Sequence, residues 1–426
     1  MRTPETASPV EKAAFACLLL ALALALFYPE SFILPQPEIA GFRVVPLTWV
    51  TPIIALVTVV SLFIRRKSLR FAWTDAAMLA FFAFVIVRTA VSGFELPGAF
   101  KYFILGAGAY YLAAVSLSKP RLREAFLWFI AVIVLIIAAY GFLEFALQKN
   151  HLFHDHIARI VVEREDGVHR SGSTLAHPVV YGAVLVQIIP LLALMWLRAG
   201  SHAGRVAGGI ASMVSITAVV LTFSKGSWIA VSFYGAALLL TLLYRRPAGG
   251  LKVIIASLAV AITALVVFWR QIYQETLVRS EESALVRLAT WQGAVEAIRE
   301  RPWIGYGFRQ GRKKLEMMDV GQKYYEMTSR AIPVDNNYLS LLLDLGVAGF
   351  ILWLAFLGAV AASAIGGMLS GRHDEYWLAA ILASMVGLAV TALTFEAWIS
   401  WPTFMLFMAC AGTVSAIVRS DPPDRR

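Results

Sequence analysis

Apolar runs of about 17 to 25 residues recur along nearly the whole chain, and very few folds accept that pattern. An α-helix of that length crosses a hydrocarbon core roughly 30 Å thick while satisfying its own backbone hydrogen bonds. Barrel strands would instead alternate over about ten residues. Hydrophobic residues make up 59% of the 426 and charged ones 15%, with a mean hydropathy of +0.71. One aqueous core of this size could not hide so much apolar surface. The sequence therefore predicts an all-α integral membrane protein, a single polytopic domain over residues 1–426. About twelve spans are expected, near residues 12–29, 44–64, 72–92, 98–118, 123–147, 178–197, 206–221, 228–244, 251–269, 336–362, 376–393 and 398–418. The first is followed by Phe27-Tyr28-Pro29-Glu30 rather than a small-residue cleavage site, so it reads as retained. Neither an internal repeat nor a low-complexity tract is visible.

The net charge of +10 sits largely in short connections between spans, where it reports topology rather than nucleic-acid binding. Arg65, Arg66, Lys67 and Arg70, then Lys119, Arg121 and Arg123, then Arg198 and Arg205, then Arg245, Arg246 and Lys252, then Arg372, and finally Arg419, Arg425 and Arg426 fall on one side. The short turns opposite hold little more than Arg43, Lys101 and Lys225. The positive-inside rule puts both termini in the cytoplasm. Two long polar connections then face outward, a first outer loop at 148–177 and a larger one at 270–335, between spans nine and ten. Cys17 and Cys410 both lie inside apolar runs, which suggests neither a disulfide nor a metal site. His151, His154 and His156 lack an acidic partner pattern, and no metal is inferred from them.

The larger loop is where the chemistry gathers. Ser283 followed by Leu285, Leu288, Trp291 or Gln292, Val295 and Ile298 has amphipathic-helix spacing that ends at Pro302. Arg287 and Trp291 share a face of it, with Arg287 either solvated beside Glu282 or gripping phosphate through its planar fork. Arg88 lies inside the third span near its outer end, where it either snorkels to the interface or serves function. Lys225 occupies the tight outward turn Thr222-Phe223-Ser224-Lys225-Gly226-Ser227, as an interfacial anchor or a point charge on phosphate. Arg170 and His177 stand where the first outer loop re-enters the membrane. Asp335 precedes an apolar run and suits an N-cap, or a base toward a sugar hydroxyl. Asn336, Ser340 and Asp344 follow at i, i+4 spacing as a polar stripe that must face protein or water.

In this order the residues resemble the bacterial O-antigen ligases and O-antigen or exopolysaccharide polymerases that share a Wzy-type C-terminal domain. The resemblance covers roughly 170–349 and rests on four pieces. These are Arg170-Ser171-Gly172 with His177-Pro178; Ser224-Lys225-Gly226; Arg287 and Trp291 with Pro302 and Gly305-Tyr306-Gly307; and Asp335-Asn336-Asn337-Tyr338-Leu339 with Asp344 and Gly346. Lys225 stands where the family has an arginine, and Asp335 where the ligases have a histidine.

The resemblance implies a GT-C-like enzyme with a partly helical periplasmic loop in the bacterial inner membrane. It would move a glycan from an undecaprenyl-diphosphate carrier to a saccharide acceptor, without a metal or other cofactor. Arg170, Lys225 and Arg287, with Arg88 as a further candidate, would bind the diphosphate, since fixed cations stabilise a departing anion. Asp335 would act as base and Asn336, Tyr338, Trp291 and His177 would position sugar. Implied partners are membrane lipids, a flippase and a chain-length regulator, with no nucleic acid. Polymerisation of repeat units is the favoured expectation. Ligation to lipid A core or a protein is the alternative, and a secondary transporter the rival from another class.

Overall fold

In a computed structural model of the chain, residues 7–27, 38–39, 42–43, 46–65, 71–93, 96–152, 169–234, 280–328, 333–370, 374–398 and 400–420 are described. They form α1 (Pro9–Phe27), a two-residue antiparallel pairing of β1 (Glu38–Ile39) with β2 (Phe42–Arg43), and α2 (Pro46–Arg65), α3 (Trp73–Ser92), α4 (Leu96–Ser116) and α5 (Pro120–Leu147). A 3-10 turn (Ser173–Leu175) leads to α6 (Pro178–Arg198) and α7 (His202–Leu221). After a helical segment at 225–234 come α8 (Ser280–Glu300), α9 (Gln310–Met317) and α10 (Asp319–Thr328) of the large loop, then α11 (Asn337–Leu369), α12 (Glu375–Thr391) and α13 (Trp401–Ser420).

The chain is a multi-pass, all-α membrane protein. Among the described residues nine helices, α1 to α7, α11 and α13, are long and apolar enough to cross a membrane. The span expected at 376–393 is α12, apolar but only 17 residues long. The one expected at 228–244 is described only as far as 234, and the one at 251–269 lies outside the described residues.

Burial separates lipid-facing from bundle-facing helices. Leu56, Val59 and Phe63 of α2 are exposed along one stripe, as a lipid-facing helix requires. By contrast, α13 is buried from Trp401 to Ile417 and packs chiefly on α4. A Cβ at Gly412 would collide with the Tyr110 carbonyl, so this close crossing needs a residue without one. Aromatic rings fill the space beside it: Trp398 meets Phe407 at 4.7 Å and Trp353 at 4.6 Å.

Charges appear at helix ends. At one end of the bundle Arg65 pairs with Glu11, Arg419 with Asp75, and Arg123 with Asp374. At the other end gather the 169–177 segment, the 222–226 turn, the large loop and the 392–398 connection.

Candidate active site

Three features of the large loop hold its polar residues in place. First, α11 is broken at Gly346, whose φ of 65° and ψ of −171° interrupt the helical ladder. The turn at 302–307 plugs the break: Tyr306 N–H donates to Leu343 O at 3.0 Å, Gly307 N–H to Asp344 O at 2.7 Å, Val347 N–H to Pro302 O at 2.8 Å and Ala348 N–H to Trp303 O at 3.1 Å. Backbone groups orphaned by the kink are thereby satisfied. A Cβ at Gly346 would run into Trp303 and Ile304, which explains the glycine. Second, Asp344 accepts from Arg309 N–H and Gly311 N–H, both at 2.8 Å, and so caps α9. Third, Trp291 Nε1–H donates to Val334 O at 3.0 Å, tying α8 to the segment that bears Asp335.

The cap of α11 is Asn336, whose Oδ1 accepts from Tyr338 N–H at 3.0 Å and Leu339 N–H at 3.1 Å. Asp335, expected as a cap or a base, is not needed there and adopts a left-handed φ of 47°. Its Oδ2 lies 3.7 Å from Arg287 Nε, an ion pair too long for a hydrogen bond. Arg287 Nε is itself buried and meets no hydrogen-bond acceptor among the described residues. A buried donor left without an acceptor marks a place where a ligand oxygen fits. Burial raises the Asp335 carboxyl above its ordinary range, and Arg287 partly opposes this.

Glu396, in the link between α12 and α13, meets this pair and was not anticipated from sequence. It feels Arg312, Arg309 and Asp335 and is hydrogen-bonded by Ser340. Burial, first, and the neighbouring Asp335 carboxylate push it upward, while Arg312 and Ser340 pull it back. Asp335 thus has the charges of Arg287 and Arg312 near it, and Glu396 those of Arg309 and Arg312. The only sequence signal was a glutamate inside the otherwise apolar stretch Leu393-Thr394-Phe395-Glu396-Ala397-Trp398.

The same link meets the other half of the expected site. The His177 ring stacks on Phe395, with centroids 6.3 Å apart, and a Cβ at Gly226 would strike Thr394. His177 caps α6, its Nδ1 accepting from Val179 N–H at 3.3 Å. Burial, then the Arg170 charge, lower its pKa to about 4, so it is neutral at pH 7. Arg170 Nε donates to Thr222 O at 3.0 Å and Nη2 to Phe223 O at 3.2 Å, which fixes the turn that carries Lys225. Glu144 of α5 locks the segment on both sides of Arg170: it accepts from Ser173 N–H at 2.6 Å and Ser171 Oγ–H at 3.1 Å, and pairs with His169 Nε2 at 3.0 Å. His177 and the Gly226 turn, with Arg170 and Lys225 next to them, therefore reach the 392–398 link, while Asn337 N–H donates to Ala392 O at 2.9 Å and Asp335, paired with Arg287, lies within electrostatic reach of Glu396.

Two expected members stand apart. Arg88 donates from Nε to Ile304 O at 2.8 Å and from Nη2 to Gly305 O at 2.6 Å, in contact with the turn rather than with Arg287. Tyr338 OH donates to Ala389 O at 2.8 Å, bracing α11 against α12. Among the described residues no group of histidine, cysteine, aspartate or glutamate could hold a metal ion.

Residues 210–354 match the family model Wzy_C, described as O-Antigen ligase. The match includes Lys225, Arg287, Trp291 and Asp335 to Tyr338, and begins beyond Arg170 and His177. No curated protein matches the chain.

Proposed function

We propose, from the match of residues 210–354 to the O-Antigen ligase family model, that the chain transfers a glycan from an undecaprenyl-diphosphate carrier to a saccharide hydroxyl at the periplasmic face of the inner membrane, joining repeat units into a polysaccharide. The observation that carries this reading is the buried Arg287 Nε, without a hydrogen-bond acceptor among the described residues and 3.7 Å from the Asp335 carboxylate. A fork held in that state donates to a phosphate oxygen on one side while a carboxylate stands ready on the other.

The mechanism follows from charge. As the bond between the anomeric carbon and the diphosphate oxygen breaks, negative charge grows on the leaving group, and fixed cations in a partly dehydrated site stabilise it. Arg287 and Arg312 supply them near Asp335, and Arg170 and Lys225 next to His177 and Gly226. Asp335, with Glu396 beside it, takes the proton of the attacking hydroxyl as the new glycosidic bond forms. Direct displacement inverts the anomeric carbon. Asn336 and Trp291 hold the Asp335 segment, His177 holds the entry to α6, and Arg88 holds the turn at 302–307. Metal is given no role, because the arginines supply the positive charge. Among the described residues the buried charges lie within about two turns of a helix end rather than at mid-bilayer, which disfavours a transporter.

Ligation to lipid A core or another acceptor would use the same donor half, and the description of the matched family keeps it as the second reading. Incubating purified protein with a defined undecaprenyl-diphosphate oligosaccharide is expected to give products longer by whole repeat units. Arg287→Ala is expected to lower the rate about 100-fold or more while leaving abundance unchanged. Near-normal turnover of that variant would remove Arg287 from the site. Transfer of single units only to an added lipid A core would select ligation.

A further inference from the structure

The three helices whose ends frame the candidate site also frame a cavity at the opposite end of the bundle. Glu144 of α5, His177 before α6 and the link after α12 lie at one end; Pro120 to Trp128 of α5, Leu194 to Gly200 after α6 and Asp374 to Trp377 of α12 enclose the other. The cavity holds about 530 Å³. Because α6 has 21 residues, at about 1.5 Å each the two sites are separated by roughly the hydrocarbon thickness of a bilayer.

Its charges are built rather than scattered. Arg123 Nη2 donates to both carboxylate oxygens of Asp374, at 2.9 and 3.0 Å, so that pair is internally neutral. The guanidinium of Arg198 lies 3.3 Å from the centre of the Tyr376 ring. Stacking occupies the guanidinium face and leaves the N–H edges, which suit a phosphate fork. Among the described residues no hydrogen bond or ion pair engages Arg198, Glu124 or Glu375. One preoriented cation therefore shares the cavity with two carboxylates. Between the lining residues Met195 and Arg198 in the chain, Trp196 and Leu197 are exposed on α6.

We propose that this cavity binds the headgroup of an aminophospholipid, with the phosphate on Arg198, the primary ammonium toward Glu124 and Glu375, and the acyl chains along Trp196 and Leu197. A headgroup with phosphate alone would meet two repelling carboxylates and one attracting guanidinium, so a zwitterion fits better. The site lies in the leaflet away from the candidate active site and does not depend on the glycosyl-transfer reading.

The test is native mass spectrometry of the full chain, purified in mild detergent and incubated with vesicles holding equal phosphatidylethanolamine and phosphatidylglycerol. Retention of phosphatidylethanolamine at about tenfold preference is expected, a difference of about 1.4 kcal/mol. Arg198→Ala should cut it about tenfold, and Glu124→Gln with Glu375→Gln should reverse the preference toward phosphatidylglycerol. If Arg198→Ala loses helicity by circular dichroism, Arg198→Lys takes its place and is expected to lose about threefold, because the fork goes while the charge stays. Equal retention of the two lipids by the unaltered chain, or unchanged retention by the variants, would overturn the proposal. Displacement of the lipid by millimolar inorganic phosphate would also overturn it, in favour of a free-anion site.

Discussion

At the scale of single residues, Asp335 and Asn336 divide two duties that one residue was expected to perform. Asn336 caps α11, and its neighbour is left with a carboxylate facing Arg287 and Glu396. The left-handed backbone at Asp335 (φ 47°) is one that Asp and Asn tolerate better than other non-glycine residues. Asp335→Asn is therefore expected to fold normally while transfer falls about 100-fold or more, the range of a lost general base. The pH dependence has a definite sign. A base works when deprotonated, and burial holds the Asp335 carboxyl above the ordinary carboxylate range. Activity should therefore be full well above that raised value and be lost as pH falls through it, at higher pH than an ordinary carboxylate would show. Asp335 helps push Glu396 upward, but Glu396 is not among the charges that shift Asp335, so Glu396→Gln is expected to leave the acidic limb in place if Asp335 is the base. A pH–rate profile identical in wild type and Glu396→Gln would separate the two carboxylates and leave Asp335 acting alone.

At the scale of elements, the interlock between α11 and the turn at 302–307 shows what was legible in the sequence and what was not. Apolar run length reveals each described spanning helix, because lipid imposes one requirement on all of them. The local pieces Pro302 to Gly307 and Asp344 to Gly346 are recognisable by residue type, yet nothing local says that they fill each other's missing hydrogen bonds across about forty residues. Arg88 illustrates the same limit. A charge in a span reads as functional by default, but its partners, Ile304 O and Gly305 O, lie more than 200 positions away in the chain. Glu396 was missed for the opposite reason: a short link between two apolar runs offers no pattern, and its importance comes only from Arg312, Ser340 and Asp335 packing around it. If Arg88 is a brace, Arg88→Leu orphans two carbonyls and removes two charge-assisted bonds, each worth about 1.5–3 kcal/mol before relaxation. The expected outcome is a lower melting temperature in detergent and faster proteolysis near residues 302–312. Wild-type melting and proteolysis with lost transfer would return Arg88 to the diphosphate.

At the scale of the whole molecule, the two ends of the bundle differ in kind. One closes itself with the pairs Glu11–Arg65, Asp75–Arg419 and Arg123–Asp374, while the other gathers arginines and carboxylates around the 392–398 link. The proposed reaction requires that second end to face the periplasm, where the carrier presents its glycan. The excess of Lys and Arg in the short connections at the first end supports that orientation. Cys17 and Cys410 are buried, so the chain itself gives little reaction with a bulky thiol reagent. Met317, on α9 of the large loop, is 75% exposed, and Leu369, at the far end of α11, is 84% exposed. From the break at Gly346, beside α9, α11 continues for 23 residues to Leu369, about 35 Å at about 1.5 Å each, so the two positions lie roughly a bilayer apart. In intact spheroplasts, a membrane-impermeant maleimide should therefore label the chain with Met317→Cys at once and the chain with Leu369→Cys only after permeabilisation. The reverse pattern would put Arg287 and Asp335 in the cytoplasm. Arg287 would then have no access to a carrier displayed at the periplasmic face, and the transfer reaction would have to be abandoned even if the site geometry stood unchanged.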